Sequence, residues 1–203
     1  MSILNSLKNA ALSLLKRESR KAVNKVVDKT VQNIGKGRNH TEKFTFQSLP
    51  ANVEELKALP EAKLDTAFKT TALVILALNR YEADPDACIA MLSFLKGPEE
   101  FGGKEQSFLK DRMADKGYKA RSFLGGATPA NNYTPAEPYT VAVSENPYSF
   151  DEENWATMYV TSGGADNPRP IKLRKKPSTG EWFLCDIQCL ADIRIPAAED
   201  KWA

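Results

Sequence analysis

Residues 169–187, RPIKLRKKPSTGEWFLCDI, decide the fold that we predict for this chain. Apolar and cationic side chains alternate over 171–174, which is typical of a strand with one buried face. A second apolar run, 181–187, follows the segment Pro177-Ser178-Thr179-Gly180, whose composition favours a tight turn. The stretch therefore predicts a β-hairpin, and with it an antiparallel sheet.

The same period of two recurs on both sides of this hairpin. Residues 139–143 and 155–161 alternate and predict two more strands, and residues 190–195 are a candidate for a final strand. Residues 121–137 are rich in Gly, Pro and Asn and predict a long loop. Such a loop serves either as a lid over a binding site or as a rigid crossing of the surface.

Residues 52–115 have the start signals and the apolar period of helices. The four predicted starts are a capping box at Asn52 and Glu55, an N-cap at Asp65, an acid–proline pair at Asp84-Pro85, and Lys104. We expect the apolar centre of the second helix, residues 72–78, to be fully buried. Helices followed by strands predict an α+β fold in which a helical layer packs on a C-terminal antiparallel sheet.

Residues 3–34 read as one long amphipathic helix in front of this domain, which Gly35 and Gly37 end. Steps of three and four residues place its apolar side chains on one stripe, which we interpret as an interaction surface. The stripe consists of Leu4, Leu7, Ala11, Leu14, Leu15, Val23, Val26, Val27, Val31 and Ile34. We therefore divide the chain into a basic helical arm at 1–38, a linker at 39–50 and a single α+β domain at 51–203.

Charge is distributed unevenly along the chain. Residues 1–40 contain nine Lys or Arg and two acids, a net charge of +7, whereas the remaining residues contain 19 basic and 24 acidic groups, or −5. A basic arm of this kind is typical of an interaction tail. The whole chain carries only +2, so we expect no specific nucleic-acid partner.

The sequence contains few residues that suit catalysis. His40 is the only histidine, and we find no nucleophile elbow, zinc-binding helix, phosphate loop or dinucleotide fingerprint. We therefore expect no catalytic residues, no metal site and no cofactor, and we favour a non-enzymatic role. Three cysteines and no evident signal peptide predict a cytoplasmic protein. A composition of 42% hydrophobic and 27% charged residues excludes a mostly disordered chain and a polytopic membrane protein.

The first strand of the predicted hairpin carries a row of cations. Lys172, Arg174 and Lys176 would lie on the face opposite to the apolar one, with Arg169 at the start of the row. One interpretation is a strip that binds anions or an acidic partner. The other is a solvated sheet face whose charges discourage pairing with further strands. The sequence leaves both open.

Several segments resemble a family of uncharacterised bacterial proteins of the Firmicutes type. They are LKALPEA at 56–62, GGATP at 125–129, NNYTP at 131–135, SGGAD at 162–166 and RPIKLRKK at 169–176. The resemblance covers about residues 43–203 and implies no activity and no site residues. The order of helices and strands is also similar to that of the cone-shaped NTF2-like fold, whose members bind small ligands, catalyse reactions or dimerise.

We favour the function of a non-enzymatic interaction or scaffold protein. Residues 3–34 would serve self-association or docking to a protein partner, because packing of an apolar stripe supplies most of a helix's stability. One alternative is a small-ligand-binding or enzymatic domain built on the C-terminal sheet. The other is peripheral association of the basic helix with an anionic membrane surface.

Overall fold

Five antiparallel strands form one sheet in the computed structural model, which describes residues 39–202. They follow one another across the sheet in chain order, so that each strand pairs with the next. The strands are β1 (His40–Phe46), β2 (Tyr139–Glu145), β3 (Trp155–Val160), β4 (Arg169–Lys175) and β5 (Trp182–Ile187). With the helices below, this confirms the predicted α+β class with an antiparallel sheet.

The helices of the described residues all lie between β1 and β2 in the chain. They are α1 (Val53–Lys57), α2 (Ala67–Asn79), α3 (Pro85–Lys96), α4 (Gly103–Met113) and α5 (Tyr118–Arg121), with 3-10 turns at Pro60–Lys63 and Pro129–Asn131. Helix α2 contacts every strand of the sheet. Within 39–202, no helix is both long and apolar enough to cross a membrane. The predicted helix at 3–34, its ten stripe residues and the basic arm at 1–38 lie outside the described residues.

The predicted linker at 39–50 is wrong over most of its length, because His40–Phe46 form the edge strand β1. All seven residues pair with β2, from Glu145 back to Tyr139. Phe46 is only 4% exposed and belongs to the core, and Phe44 packs against it. The segment looked like a linker because its pairing partner is distant in the chain, so the local sequence contains no sign of the pairing.

The predicted capping residues are correct with one exception. Asn52 and Asp84 cap α1 and α3 by accepting hydrogen bonds from backbone N–H groups of the first turn. Helix α2 is capped by Thr66 and not by Asp65: the Thr66 hydroxyl accepts from the Lys69 N–H at 3.2 Å. Asp65 instead forms an ion pair with the Lys69 ammonium at 2.8 Å. Both residue types are good N-caps, so the sequence located this start only to within one residue.

The centre of α2 is buried on every side, as predicted. None of the residues from Ala72 to Leu78 has exposed surface, because the sheet covers one side of the helix and α3 packs against another. A buried hydroxyl in this helix has a hydrogen-bond partner, since the Thr70 Oγ1 donates to the Trp182 carbonyl oxygen at 2.9 Å. Helix α2 therefore packs beneath the sheet with its centre buried.

The β4–β5 hairpin forms as predicted, with Gly180 in its turn at a φ of 83°. Lys172 pairs with Asp186 and Leu173 pairs with Leu184, so Cys185 between them forms a β-bulge. The bulge interrupts the alternation of side chains between the two faces of β5. Leu184 and Ile187 are consequently both buried although they are three residues apart. The bulge is why this edge strand does not alternate regularly.

The candidate final strand at 190–195 is wrong. The chain turns there, and Asp192 has a φ of 50°. Leu190 and Ile193 are both buried, and a spacing of three residues would place them on opposite faces of a regular strand. The apolar residues of this segment pack as parts of a turn.

Candidate functional site

A groove of about 270 Å³ opens between the C-terminal end of α3 and the β4–β5 hairpin. Apolar side chains from β5, Phe183 and Leu184, line one part of it. The groove is also lined by the cationic residues Lys96, Arg174, Lys175 and Lys176. This combination suits a ligand or a protein segment that carries both an apolar group and an anionic group.

The structure separates the four residues of the predicted anion strip. Arg174 and Lys176 line the groove, whereas Lys172 is exposed in the middle of β4. Arg169 lies at the far end of β4, where its guanidinium donates to the Asp192 carbonyl oxygen at 2.8 Å. Only two of the four predicted residues therefore share one site.

Two further cations of the groove were missed by the sequence reasoning. Lys96 ends α3, is 7% exposed and pairs with Glu105 of α4. Lys175 continues the alternation of the buried residues Ile171 and Leu173 in β4, so the pattern predicts an apolar residue there. Its ammonium lies 5.8 Å from the centre of the Trp182 ring. The sequence contains no signal for Lys96, because its position in the groove depends on the contact between α3 and β5.

The positive charge that remains unpaired in the groove lies on the hairpin. Arg174 pairs with Glu99 at 3.4 Å, and its guanidinium lies 5.2 Å from the centre of the Trp155 ring. Lys175 and Lys176 form no ion pair with a residue in the described part of the chain. Within residues 39–202, no carboxylate neutralises these two ammonium groups.

Gly97 fixes the position of the apolar wall. It ends α3 with a φ of 69°, a conformation that glycine adopts without strain. A Cβ atom at this position would lie 2.3 Å from the ring of Phe183. The close approach of α3 to β5 at this groove therefore requires glycine.

A hydrogen-bonded turn near the hairpin presents an exposed aromatic side chain. Tyr148 is 75% exposed, and its N–H donates to the Asn146 side-chain oxygen at 2.9 Å. The Asn146 N–H in turn donates to the Ser149 hydroxyl at 3.0 Å. Ser149 is buried, and its carbonyl oxygen accepts from the Thr157 N–H of β3 at 2.9 Å. The turn is thus anchored to the sheet while Tyr148 extends into solvent.

Three exposed carboxylates, Asp151–Glu153, follow this turn. Phe150 packs edge-on against the Trp182 ring, with 5.7 Å between ring centres, and Lys175 lies over the same ring. The Lys175 N–H also donates to the Asn154 carbonyl oxygen at 2.8 Å. We call residues 146–153 the acidic turn. The acidic turn and the groove, which we call the basic groove, are neighbours at one end of the sheet.

The segment predicted as a long loop at 121–137 is held to the body of the domain by a buried side chain and by backbone hydrogen bonds. Tyr133 has no exposed surface, stacks on Tyr118 at 5.5 Å between ring centres, and donates its hydroxyl to the Arg194 carbonyl oxygen at 2.6 Å. Burial raises the pKa of Tyr133, so this hydroxyl remains a donor over the whole physiological pH range. The Gly125 N–H donates to the Thr140 carbonyl oxygen at 2.8 Å and ties the loop to β2.

Segments that carried the family resemblance meet at this crossing. A Cβ atom at Gly163 would lie 1.9 Å from the Ala127 carbonyl oxygen, and one at Gly164 would lie 2.1 Å from the Tyr133 hydroxyl. The Gly163 N–H donates to the Ser122 carbonyl oxygen at 2.8 Å. Residues of the segments that carried this resemblance therefore hold the loop against the end of β3.

The three cysteines are free thiols that differ in burial. Burial raises the pKa of Cys88 and of Cys189 to about 12, and it also raises the pKa of Cys185 in the groove wall. All three thiols are therefore protonated at neutral pH, and a protonated thiol is a poor nucleophile. Between residues 39 and 202, no three His, Cys, Asp or Glu side chains come together as a set of metal ligands.

The comparisons with known proteins give one match. The model of a family described as a domain of unknown function (DUF6935) matches residues 48–197, most of the folded domain. No curated protein and no solved structure matches the chain. The description of the family names no activity, so function has to be argued from the residues of this chain.

Proposed function

Because the chain belongs to the DUF6935 family, whose description assigns no role, we propose from its own features that it is a non-enzymatic interaction or scaffold protein. Residues 3–34 serve self-association or docking to a protein partner. The observation that carries this proposal is the stripe of ten apolar residues in an arm of net charge +7. A stripe of this kind gains most of its stability by packing against another surface.

The folded domain supports the proposal because its core is assembled from its own elements. The core cluster runs from Phe46 to Ile193, and residues 72–78 at its centre have no exposed surface. Residues 72–78 of α2 beneath the sheet have no exposed surface, so a small ligand would have to use the groove at the end of α3. We therefore rank the small-ligand and enzymatic alternative below the interaction role.

Light scattering on the full-length chain tests the proposal. Leu14→Asp with Val27→Asp places two charges on the stripe and should lower the mass of the particle. Ser13→Asp with Gln32→Glu adds the same charge outside the stripe and should leave the mass unchanged. Equal masses for the two variants and the unmodified chain at every concentration would exclude the hypothesis that the chain self-associates through the arm.

Vesicle flotation separates the protein role from the membrane alternative. The membrane alternative is supported by the excess of Lys and Arg in residues 1–40, which would attract an anionic surface. The unmodified chain is mixed with vesicles of neutral lipid and with vesicles that contain anionic lipid. Binding only to the anionic vesicles would favour the membrane role, and the absence of binding to either would favour a protein partner.

The setting that we propose is the cytoplasm of a bacterium. Three free cysteines, none of them in a disulfide, are ordinary for a reducing compartment. We also propose an NTF2-like arrangement of the domain, on the evidence of helices packed on one antiparallel sheet. An experimental structure that aligns, or fails to align, with that fold decides this point.

A further inference from the structure

We propose that the folded domain has an association surface of its own, in which the acidic turn of one copy docks into the basic groove of a second copy. The exposed Tyr148 of one chain would contact the apolar wall formed by Phe183. The carboxylates at 151–153 would face Lys175 and Lys176. This surface does not depend on residues 3–34, so it goes beyond the function proposed above.

The two surfaces match in chemistry. The groove combines apolar side chains from β5 with two hairpin ammonium groups that have no carboxylate partner in the described part of the chain. The acidic turn combines an aromatic side chain that is 75% exposed with three exposed carboxylates that also form no ion pair there. Exposed Tyr side chains beside charged groups are typical anchors of protein interfaces.

The turn does not occupy the groove of its own chain. None of the residues that line the groove belongs to 146–154. Phe150 and Lys175 both contact the Trp182 ring, so the acidic turn and the hairpin are neighbours at this ring. A second copy can therefore provide the contact that the geometry of one chain does not make.

The neighbouring positions of the two surfaces favour a symmetric pair. In a twofold interface the same patch serves both copies, so that each turn can meet the groove of the other chain. A patch made of adjacent acidic and basic parts is complementary to its own rotated copy. Two short turns and two grooves bury little area, so we expect a weak dimer whose formation depends on salt.

Charge reversal and its rescue test the proposal. All proteins are full-length chains that carry Leu14→Asp and Val27→Asp, so that association through residues 3–34 cannot hide the result. One variant adds Lys175→Glu and Lys176→Glu, and another adds Glu152→Lys and Glu153→Lys. A control adds Lys116→Glu and Lys201→Glu, two exposed residues that neither line the groove nor belong to the acidic turn.

Sedimentation equilibrium at low salt measures the dimerisation affinity of each protein. We expect the parent protein and the control to form dimers, and each reversed variant alone to associate about tenfold more weakly. An equimolar mixture of the two reversed variants recovers the parent affinity, because each turn then meets a groove of opposite charge. Tyr148→Ser should also weaken the dimer about tenfold, since the apolar anchor is lost.

Three results would overturn the proposal. The first is a parent protein that stays monomeric at all accessible concentrations. The second is equal association of all variants. The third is a mixture that fails to recover although circular dichroism shows both variants folded. A failure here leaves the arm-mediated role intact, because that role is measured on chains with an unmodified stripe.

Discussion

Gly163→Ala should destabilise the folded domain strongly, although it adds a single methyl group. The new Cβ would lie 1.9 Å from the Ala127 carbonyl oxygen, whereas real Cβ contacts are essentially never shorter than 3.0 Å. The two backbone segments would have to separate by about 1 Å, as the difference between these distances shows. Ala127 is 1% exposed, and the Gly163 N–H is held by the Ser122 carbonyl oxygen at 2.8 Å, so neither side moves freely.

The magnitude follows from these two constraints. Overpacking costs about 1–3 kcal/mol, and loss of the Gly163–Ser122 hydrogen bond adds roughly 1 kcal/mol. We therefore expect the free energy of unfolding to fall by about 3 kcal/mol, which corresponds to a decrease in Tm of roughly 10 °C for a domain of this size. Urea and thermal unfolding followed by circular dichroism measure both quantities.

Gly103→Ala is the matched control, because it is the same chemical change at an open position. A Cβ atom at Gly103 would meet nothing within 4 Å, and the residue is the first of α4. Replacing glycine by alanine in a helix stabilises by up to about 1 kcal/mol, so this variant should equal or exceed the unmodified protein. A Gly163→Ala variant within about 0.5 kcal/mol of Gly103→Ala would refute the steric argument.

Three further outcomes are expected. Tyr133→Phe should lower the free energy of unfolding by about 1–2 kcal/mol, because the Arg194 carbonyl oxygen loses its donor; urea unfolding measures this, and an unchanged midpoint would contradict it. A thiol reagent should label at most one cysteine in the native protein, and labelling of all three without denaturant, counted by mass spectrometry, would contradict the burial of the other two. Glu145→Gln should stabilise the protein near pH 7 but not below about pH 4. Burial raises the pKa of the Glu145 carboxyl, so its ionisation in the native state lowers the free energy of unfolding as the pH rises through that pKa. Equal free energies of unfolding for Glu145→Gln and the unmodified protein at both pH values would contradict this prediction.

Local chemistry made much of the fold predictable. The N-caps at Asn52 and Asp84 and the turn before Gly180 act within a few residues, so their signals are complete in the sequence. The buried centre of α2 was evident because seven consecutive apolar residues have no solvent-facing position in a helix. The error at Asp65 was small because two residue types with the same capping ability stand side by side.

What the sequence could not show depends on contacts between distant segments. Among the described strands, β1 pairs with β2 alone, and nothing in residues 40–46 specifies that partner. Lys96 enters the groove because α3 approaches β5 at Gly97, a contact made by packing. The strip predicted from Arg169 to Lys176 assumed that one strand acts alone, whereas its two ends face different neighbours.

The role of the glycine-rich segments was also hidden. Gly163, Gly164 and Tyr133 belong to segments that carry the family resemblance, but their role is steric and becomes evident only when the segments are brought together. A pair of adjacent glycines after a strand is the signal that could have suggested a close backbone approach. Without the position of Ala127, the partner of that approach could not be identified.

The pairing of the first strand with the second determines the order in which the domain can be completed during translation. Phe46 leaves the ribosome long before Tyr139, its partner, has been synthesised. During that interval the nascent chain can form its helices, but β1 has no strand to pair with. Pairing of β1 therefore waits for β2, and the core is complete only after β5, which supplies Leu184 and Ile187, has also been synthesised.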